Sequence, residues 1–165
     1  MNIKSHKLTI KKLSQNNFQL YALLVMNEEV MKYITGHALS SEEAEIRFQK
    51  AIDAGKKSDV AGFYIVRNKA NKEFIGVTKL VQFANNQYEV GYMLLPEHWG
   101  RGYATAMVNS MIKLAKGKKV GELIAIVDPE NPASIKVLTK FGFTLYNTGE
   151  IDGLASAYYK LEIDE

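Results

Sequence analysis

The sequence predicts an α/β fold of the α+β type: a mostly antiparallel, mixed sheet of about seven strands flanked by helices, in the order βααβββαβαββ. Three observations carry that expectation. Two stretches, around residues 40–55 and 103–117, repeat apolar residues at helical intervals. Between them, three runs rich in β-branched and aromatic residues follow one another, separated only by short polar turns. Past residue 103, helix and strand alternate, so the antiparallel meander leads into a β–α–β crossover.

The elements follow in order. "KLTIKKL" (7–13) reads as a strand with Leu8, Ile10 and Leu13 at its apolar positions. Asn16 or Asn17 is placed to cap a helix over "FQLYALLVM", and "NEEVMKYI" makes a short second turn. Ser40 and Glu43 have capping-box spacing; Ala44, Phe48, Ala51 and Ile52 then line one helix face until Gly55 stops it. "AGFYIVRN", "EFIGVTKLVQF" and "QYEVGYMLL" form the meander, turning at "KANK" and "NN". "RGYATAMVNSMIKLAKG" returns to helix, with Ala104, Met107, Met111 and Leu114 on one side. "GELIAIVD" (121–128) is a short buried strand, and "NPASIKVLTKFG" is a helix opened by Asn131 and Pro132 and closed by Gly142. "FTLYNTG" and "ASAYYKLEI" close the chain as a hairpin around Gly153. No repeat or linker interrupts this order, so residues 1–165 are expected to form one domain.

Composition removes several function classes. The sequence contains no cysteine, which excludes disulfides, thiolate metal sites and a cysteine nucleophile. His6, His37 and His98 have no metal-ligand spacing, so no metal is expected. No apolar run approaches the ~20 residues that span a bilayer. The opening residues lack a signal-peptide core, so a cytoplasmic protein without membrane contact is expected. The net charge of +3 is mild, and its lysines are scattered in small groups; a solvated surface explains them better than a nucleic-acid face.

Chemistry concentrates at "PEHWGRGYATA" (96–106). A helix start leaves backbone N–H groups unpaired at the positive end of the helix dipole, and an anion can settle there if no side chain intervenes. Gly100 and Gly102 remove Cβ atoms where a pyrophosphate would lie, Arg101 adds a charge, Thr105 adds a hydroxyl, and Ala104 keeps the surface low. A sharp strand-to-helix turn explains the glycines equally well on its own. "GRGYAT" lacks the Gly-Lys-Ser/Thr end of a Walker loop, and its place after a meander does not suit a dinucleotide fingerprint.

A second helix start lies in "VDPENPASIKVLTKFGF". Capping accounts for Asn131. Ser134, one turn in, is either an idle serine or a hydroxyl facing a cleft, able to hydrogen-bond or protonate a leaving group.

Three segments in this order resemble the GCN5-related N-acetyltransferase (GNAT) superfamily. "YMLLPEHWGRGYATA" is similar to its acetyl-CoA motif and "NPASIKVLTKFGF" to its second motif. "KLTIKKLSQNNF…NEEVMKYI" is similar to the branch of ribosomal-protein N-terminal acetyltransferases. The resemblance implies a strand that splays from its neighbour, with pantetheine between them. Met93, Leu94 and Leu95 would then offer backbone groups to the pantetheine and thioester. Gly100, Arg101, Gly102, Tyr103, Ala104 and Thr105 would hold the pyrophosphate, Asn131 would contact the arm, and Ser134 would lie near the sulfur. This chain has Trp99 where the motif often begins with Gln or Arg, and Ala106 where the ribosomal branch often has an acid. Leu138 stands where many members carry a tyrosine acid, which passes the proton-donor role to Ser134 or water.

The implied reaction is attack by a primary amine on acetyl-CoA. The acceptor is a protein N-terminus, whose α-amine has a pKa near ~8, or a small-molecule amine. Glu89, in "YEVGYML", is the candidate proton acceptor if the pleat is unbroken; a cross-strand lysine partner is its alternative role. A backbone N–H near Leu94 would hold the carbonyl oxygen. Tyr33, Tyr92, Tyr158 and Tyr159 are candidate cleft walls, and His98 reads as a surface residue beside the turn. A non-catalytic acyl-CoA sensor is the rival function, and a monomer or homodimer fits either reading.

Overall fold

The computed structural model describes residues 2–3 and 5–164. Its strands are β1 (Asn2–Ile3), β2 (Leu8–Lys12), β3 (Gly62–Asn68), β4 (Phe74–Ala84), β5 (Gln87–Leu94), β6 (Glu122–Val127), β7 (Thr144–Ile151) and β8 (Leu154–Glu162). The helices are α1 (Phe18–Val25), α2 (Glu28–Met31), α3 (Ser41–Lys56), α4 (Tyr103–Gly117) and α5 (Pro132–Lys140). The strands form one eight-stranded sheet in the order β1-β2-β3-β4-β5-β6-β8-β7. Seven of them follow the expected order; the extra one is the two-residue β1, which pairs with β2 at the sheet edge. Every neighbouring pair is antiparallel except β5 and β6, the pair that α4 joins.

Alternation along the strands divides the core in two. Val66, Leu80, Val90 and Leu94 pack with Met107 and Met111 of α4 and Leu138 of α5. On the other face Ile65, Val77 and Met93 pack with Tyr21 and Leu24 of α1, Met31 of α2 and Phe48 of α3. No helix among the described residues is long and apolar enough to cross a membrane.

Two local expectations are corrected. Gly55 does not stop α3, which runs on to Lys56. A Cβ there would come within 3.2 Å of Lys12 Cε, so this glycine lets the last helical turn lie over the β2 side chain. Asn17 precedes α1, but its carboxamide turns backward and accepts from Ser14 N–H at 2.9 Å. The box at Ser40 and Glu43 forms as expected, at 3.2 and 2.8 Å.

The join between β5 and β6 prepares the site. At its base, Gly121 and Glu122 N–H groups both donate to Asn86 O at 3.2 Å, and Gly121 N–H also reaches Asn86 Oδ1 at 3.0 Å. Pairing then covers only Gln87–Glu122, Tyr88–Leu123 and Glu89–Ile124. Both strands continue, β5 to Leu94 and β6 to Val127, without further pairing to each other. Pinned at one end and free at the other, they diverge.

Candidate active site

The gap between β5 and β6 exposes a strand edge inside the sheet. Leu95 N–H donates to Ile75 O at 3.0 Å. In a planar trans peptide the carbonyl of Leu94 points the opposite way, into the gap. The antiparallel register from Tyr88 to Leu94 is unbroken, so the backbone groups of Val90, Tyr92 and Leu94 face the gap and those of Met93 face Val77. Of the expected trio Met93, Leu94 and Leu95, therefore, Leu94 alone presents its main chain to the opening.

Beyond β5, a 3-10 turn over Pro96–His98 leads to Gly100 and Gly102, at φ 72° and 81°. Gly102 is the N-cap of α4 and has no side chain to bond the helix amides. The first helical bond is Ala106 N–H to Gly102 O at 3.1 Å, which leaves the N–H groups of Tyr103, Ala104 and Thr105 without intrahelical partners. Apart from the residues adjoining them in the chain, nothing among the described residues lies within 4 Å of where a Cβ on either glycine would stand. The space in front of those amides is open, and exposed Arg101 borders it. Tyr103 is held from behind, its Oη accepting from Asn68 Nδ2 at 3.0 Å.

The other wall is the start of α5. Asn131 accepts from Ser134 N–H through Oδ1 at 3.3 Å, so its cap role is real; its carboxamide NH2 remains a donor. Ser134 is buried, and its Oγ lies 2.7 Å from Tyr92 Oη. Burial raises the Tyr92 pKa above its ordinary value, partly offset by that hydrogen bond. Tyr92 was expected only as a cleft wall; its bond to Ser134 joins β5 to α5. Leu138 is buried in the core, consistent with its having no acid role.

Glu89 shares a face with Gly91 and Met93, opposite to Tyr92 and Ser134. The structure therefore does not bring Glu89 and Ser134 to the same side of β5. Glu89 Oε1 accepts from Lys79 Nζ at 2.7 Å in a half-buried ion pair, so the cross-strand lysine exists. Lys79 reaches it by lying across Gly91, where a Cβ would come within 2.8 Å of Lys79 Cε, and its ammonium also stands 5.9 Å from the Phe63 ring centre.

Tyr33 and Tyr158 are half-buried, Tyr158 packing edge-on to Tyr146 at 6.2 Å. Tyr159 is not a cleft wall: it is buried in the core because it alternates to the other side of β8. His98 is not a surface residue either. It is 2% exposed, edge-on to Tyr103 at 5.7 Å, with Nε2 3.7 Å from Glu73 Oε1 and neither ring nitrogen hydrogen-bonded to any of the described residues. The 3-10 turn rolls its ring under the first residue of α4.

Comparison with known proteins agrees with this geometry. The sequence profile of a family described as Acetyltransferase (GNAT) domain matches residues 7–144. The uncharacterized protein YkkB of Bacillus subtilis (strain 168) is 31% identical over 127 residues, covering 74% of this chain and 73% of that protein. RimL, a ribosomal L7/L12 alpha-N-protein acetyltransferase solved with coenzyme A, superimposes with a TM-score of 0.83 at 18% identity over 99% of both chains. A spermidine N-acetyltransferase from Vibrio cholerae, solved with CoA and spermine, gives 0.79 at 20% identity, covering 96% of this chain and 97% of that one. At these identities the two solved structures are a likeness of fold.

Proposed function

This chain belongs to the GNAT acetyltransferase family and is an acetyl-CoA-dependent acetyltransferase, and from that premise we propose that its acceptor is a primary amine attacking the thioester directly. The observation that carries the proposal is the continuity of the open β5–β6 gap with the unpaired amides of Tyr103, Ala104 and Thr105. A diphosphate suits the amides and a strand-like arm suits the gap. RimL, a protein N-terminal acetyltransferase, and the spermidine enzyme, solved with spermine, share this fold. They support a primary amine as the acceptor class and leave protein N-terminus and small amine as its two forms.

Each group then has one task. Amides 103–105 and Arg101 hold the diphosphate. Leu94 N–H, facing the gap, stabilises negative charge on the thioester oxygen as the amine nitrogen bonds to the carbonyl carbon. Glu89 takes the proton that the amine must lose, directly or through water. As the C–S bond breaks, the sulfur receives a proton from the Tyr92–Ser134 hydroxyl pair on the opposite face. Acid and base on opposite sides of the strand allow the amine to enter from one face while the thiol leaves toward the other. Tyr33 and Tyr158 border the acceptor's approach in this reading, and Asn131 meets the pantetheine arm.

The test is thiol release from acetyl-CoA with peptides of different first residues and with a panel of small amines. Turnover with any primary amine supports the proposal. Tight CoA binding without turnover on any acceptor would make this a binding module instead.

A further inference from the structure

Trp99 is the chain's single tryptophan, and it stands between the two halves of the site. Its Nε1–H donates to Leu94 O at 3.0 Å, the carbonyl that points into the gap. The turn is fastened to the strand end by His98 N–H to Leu95 O at 2.9 Å and by Trp99 N–H to Pro96 O at 3.1 Å. An indole tethered by ring and backbone is fixed in place, yet Trp99 as a residue stays 49% exposed. Gly100 follows directly, and apart from its chain neighbours nothing among the described residues lies within 4 Å of where its Cβ would stand. A ligand with its diphosphate on the α4 amides and its arm in the gap must therefore pass the indole.

In coenzyme A the segment next to the diphosphate is the pantoyl unit, whose quaternary carbon carries two methyl groups. That is the apolar part of an otherwise polar molecule, and the half-exposed indole is the apolar surface beside the polar turn. We propose that Trp99 is a cofactor-binding residue whose indole face packs on the pantoyl methyls. Its N–H occupies the Leu94 carbonyl, so that Leu94 N–H is the group of that residue left for the thioester. This inference rests on the acetyl-CoA reading above.

Because the protein has one tryptophan, its fluorescence reports this contact directly. Purified protein is titrated with CoA, phosphopantetheine and ADP, with calorimetry in parallel. CoA and phosphopantetheine, which carry the pantoyl unit, change the emission; ADP, which carries only the diphosphate and adenosine, does not. Trp99→Ala raises the CoA dissociation constant about tenfold and leaves that of ADP within about twofold, while Trp99→Phe keeps most of the CoA affinity. An emission change driven by ADP would overturn the assignment in favour of adenine stacking. CoA heat with unchanged emission would overturn it while sparing the acetyl-CoA reading, and no CoA heat at all would sink both.

Discussion

The hydroxyl of Tyr92 on β5 lies 2.7 Å from that of Ser134 in the first turn of α5. Burial pushes the Tyr92 pKa up, and the Ser134 bond pulls it part of the way back. Tyr92 therefore keeps its proton at neutral and mildly alkaline pH, as a donor to a departing thiolate must. Tyr92→Phe should lower kcat about a hundredfold while CoA binding persists. An acid of raised pKa loses activity only as pH climbs past its own value, so the alkaline limb of kcat should lie above the ordinary tyrosine value of ~10. Ser134→Ala removes the downward pull and should move that limb higher. An alkaline limb that persists unchanged in Tyr92→Phe, or a kcat that this substitution leaves unaltered, would contradict the role.

Glu89 separates catalysis from binding. Glu89→Gln keeps the size of the side chain and removes its capacity to take a proton. Its kcat should fall about a hundredfold with the CoA dissociation constant unchanged. An unaltered kcat would reduce Glu89 to the partner of Lys79.

The glycines make a paired prediction. Gly102 has φ 81° and open space, so Gly102→Ala should cost about 1–2 kcal/mol of stability from backbone strain. Its effect on CoA affinity should be larger, because the new Cβ stands where the diphosphate would lie. Gly76 is the reverse case: a Cβ there would come within 2.0 Å of Met93 O. Gly76→Ala forces β4 and β5 apart and should cost about 3 kcal/mol or more, seen as a lower Tm.

Tyr64 sets the alkaline edge of stability. It is fully buried, donates to Val60 O, and burial pushes its pKa up to about 12. The unfolded chain releases this proton near ~10, so the stabilisation is complete below that pH and is lost as pH rises toward the folded value. Denaturant unfolding across this range should show stability falling with pH, and Tyr64→Phe should flatten the slope.

Periodicity and cap chemistry disclosed most of the fold. Ala44, Phe48, Ala51 and Ile52 are buried as their spacing predicts, and Asn131 caps α5. What stayed hidden depends on register and on contacts distant in sequence. Lys79 reaches Glu89 only through the irregularity between Gln82 and Ala84, which shifts the β4–β5 pairing by one residue. The "NN" turn does not reveal that shift. Tyr92 and Ser134 are 42 residues apart, and only the packing of α5 on the open end of β5 joins them. His98 is polar beside a glycine turn and so reads as surface, while Tyr103 covers it. Two-residue β1 is too short to leave any periodic signal.

The most direct measurement is the backbone amide NMR spectrum of the protein with and without CoA. If main-chain donors at the α4 start grip the diphosphate, the largest shifts fall on Tyr103, Ala104 and Thr105, with Leu94 moving as well. The amides of β2, three strands from β5 in the sheet, stay in place. Saturation with CoA that leaves amides 103–105 unmoved would contradict the account.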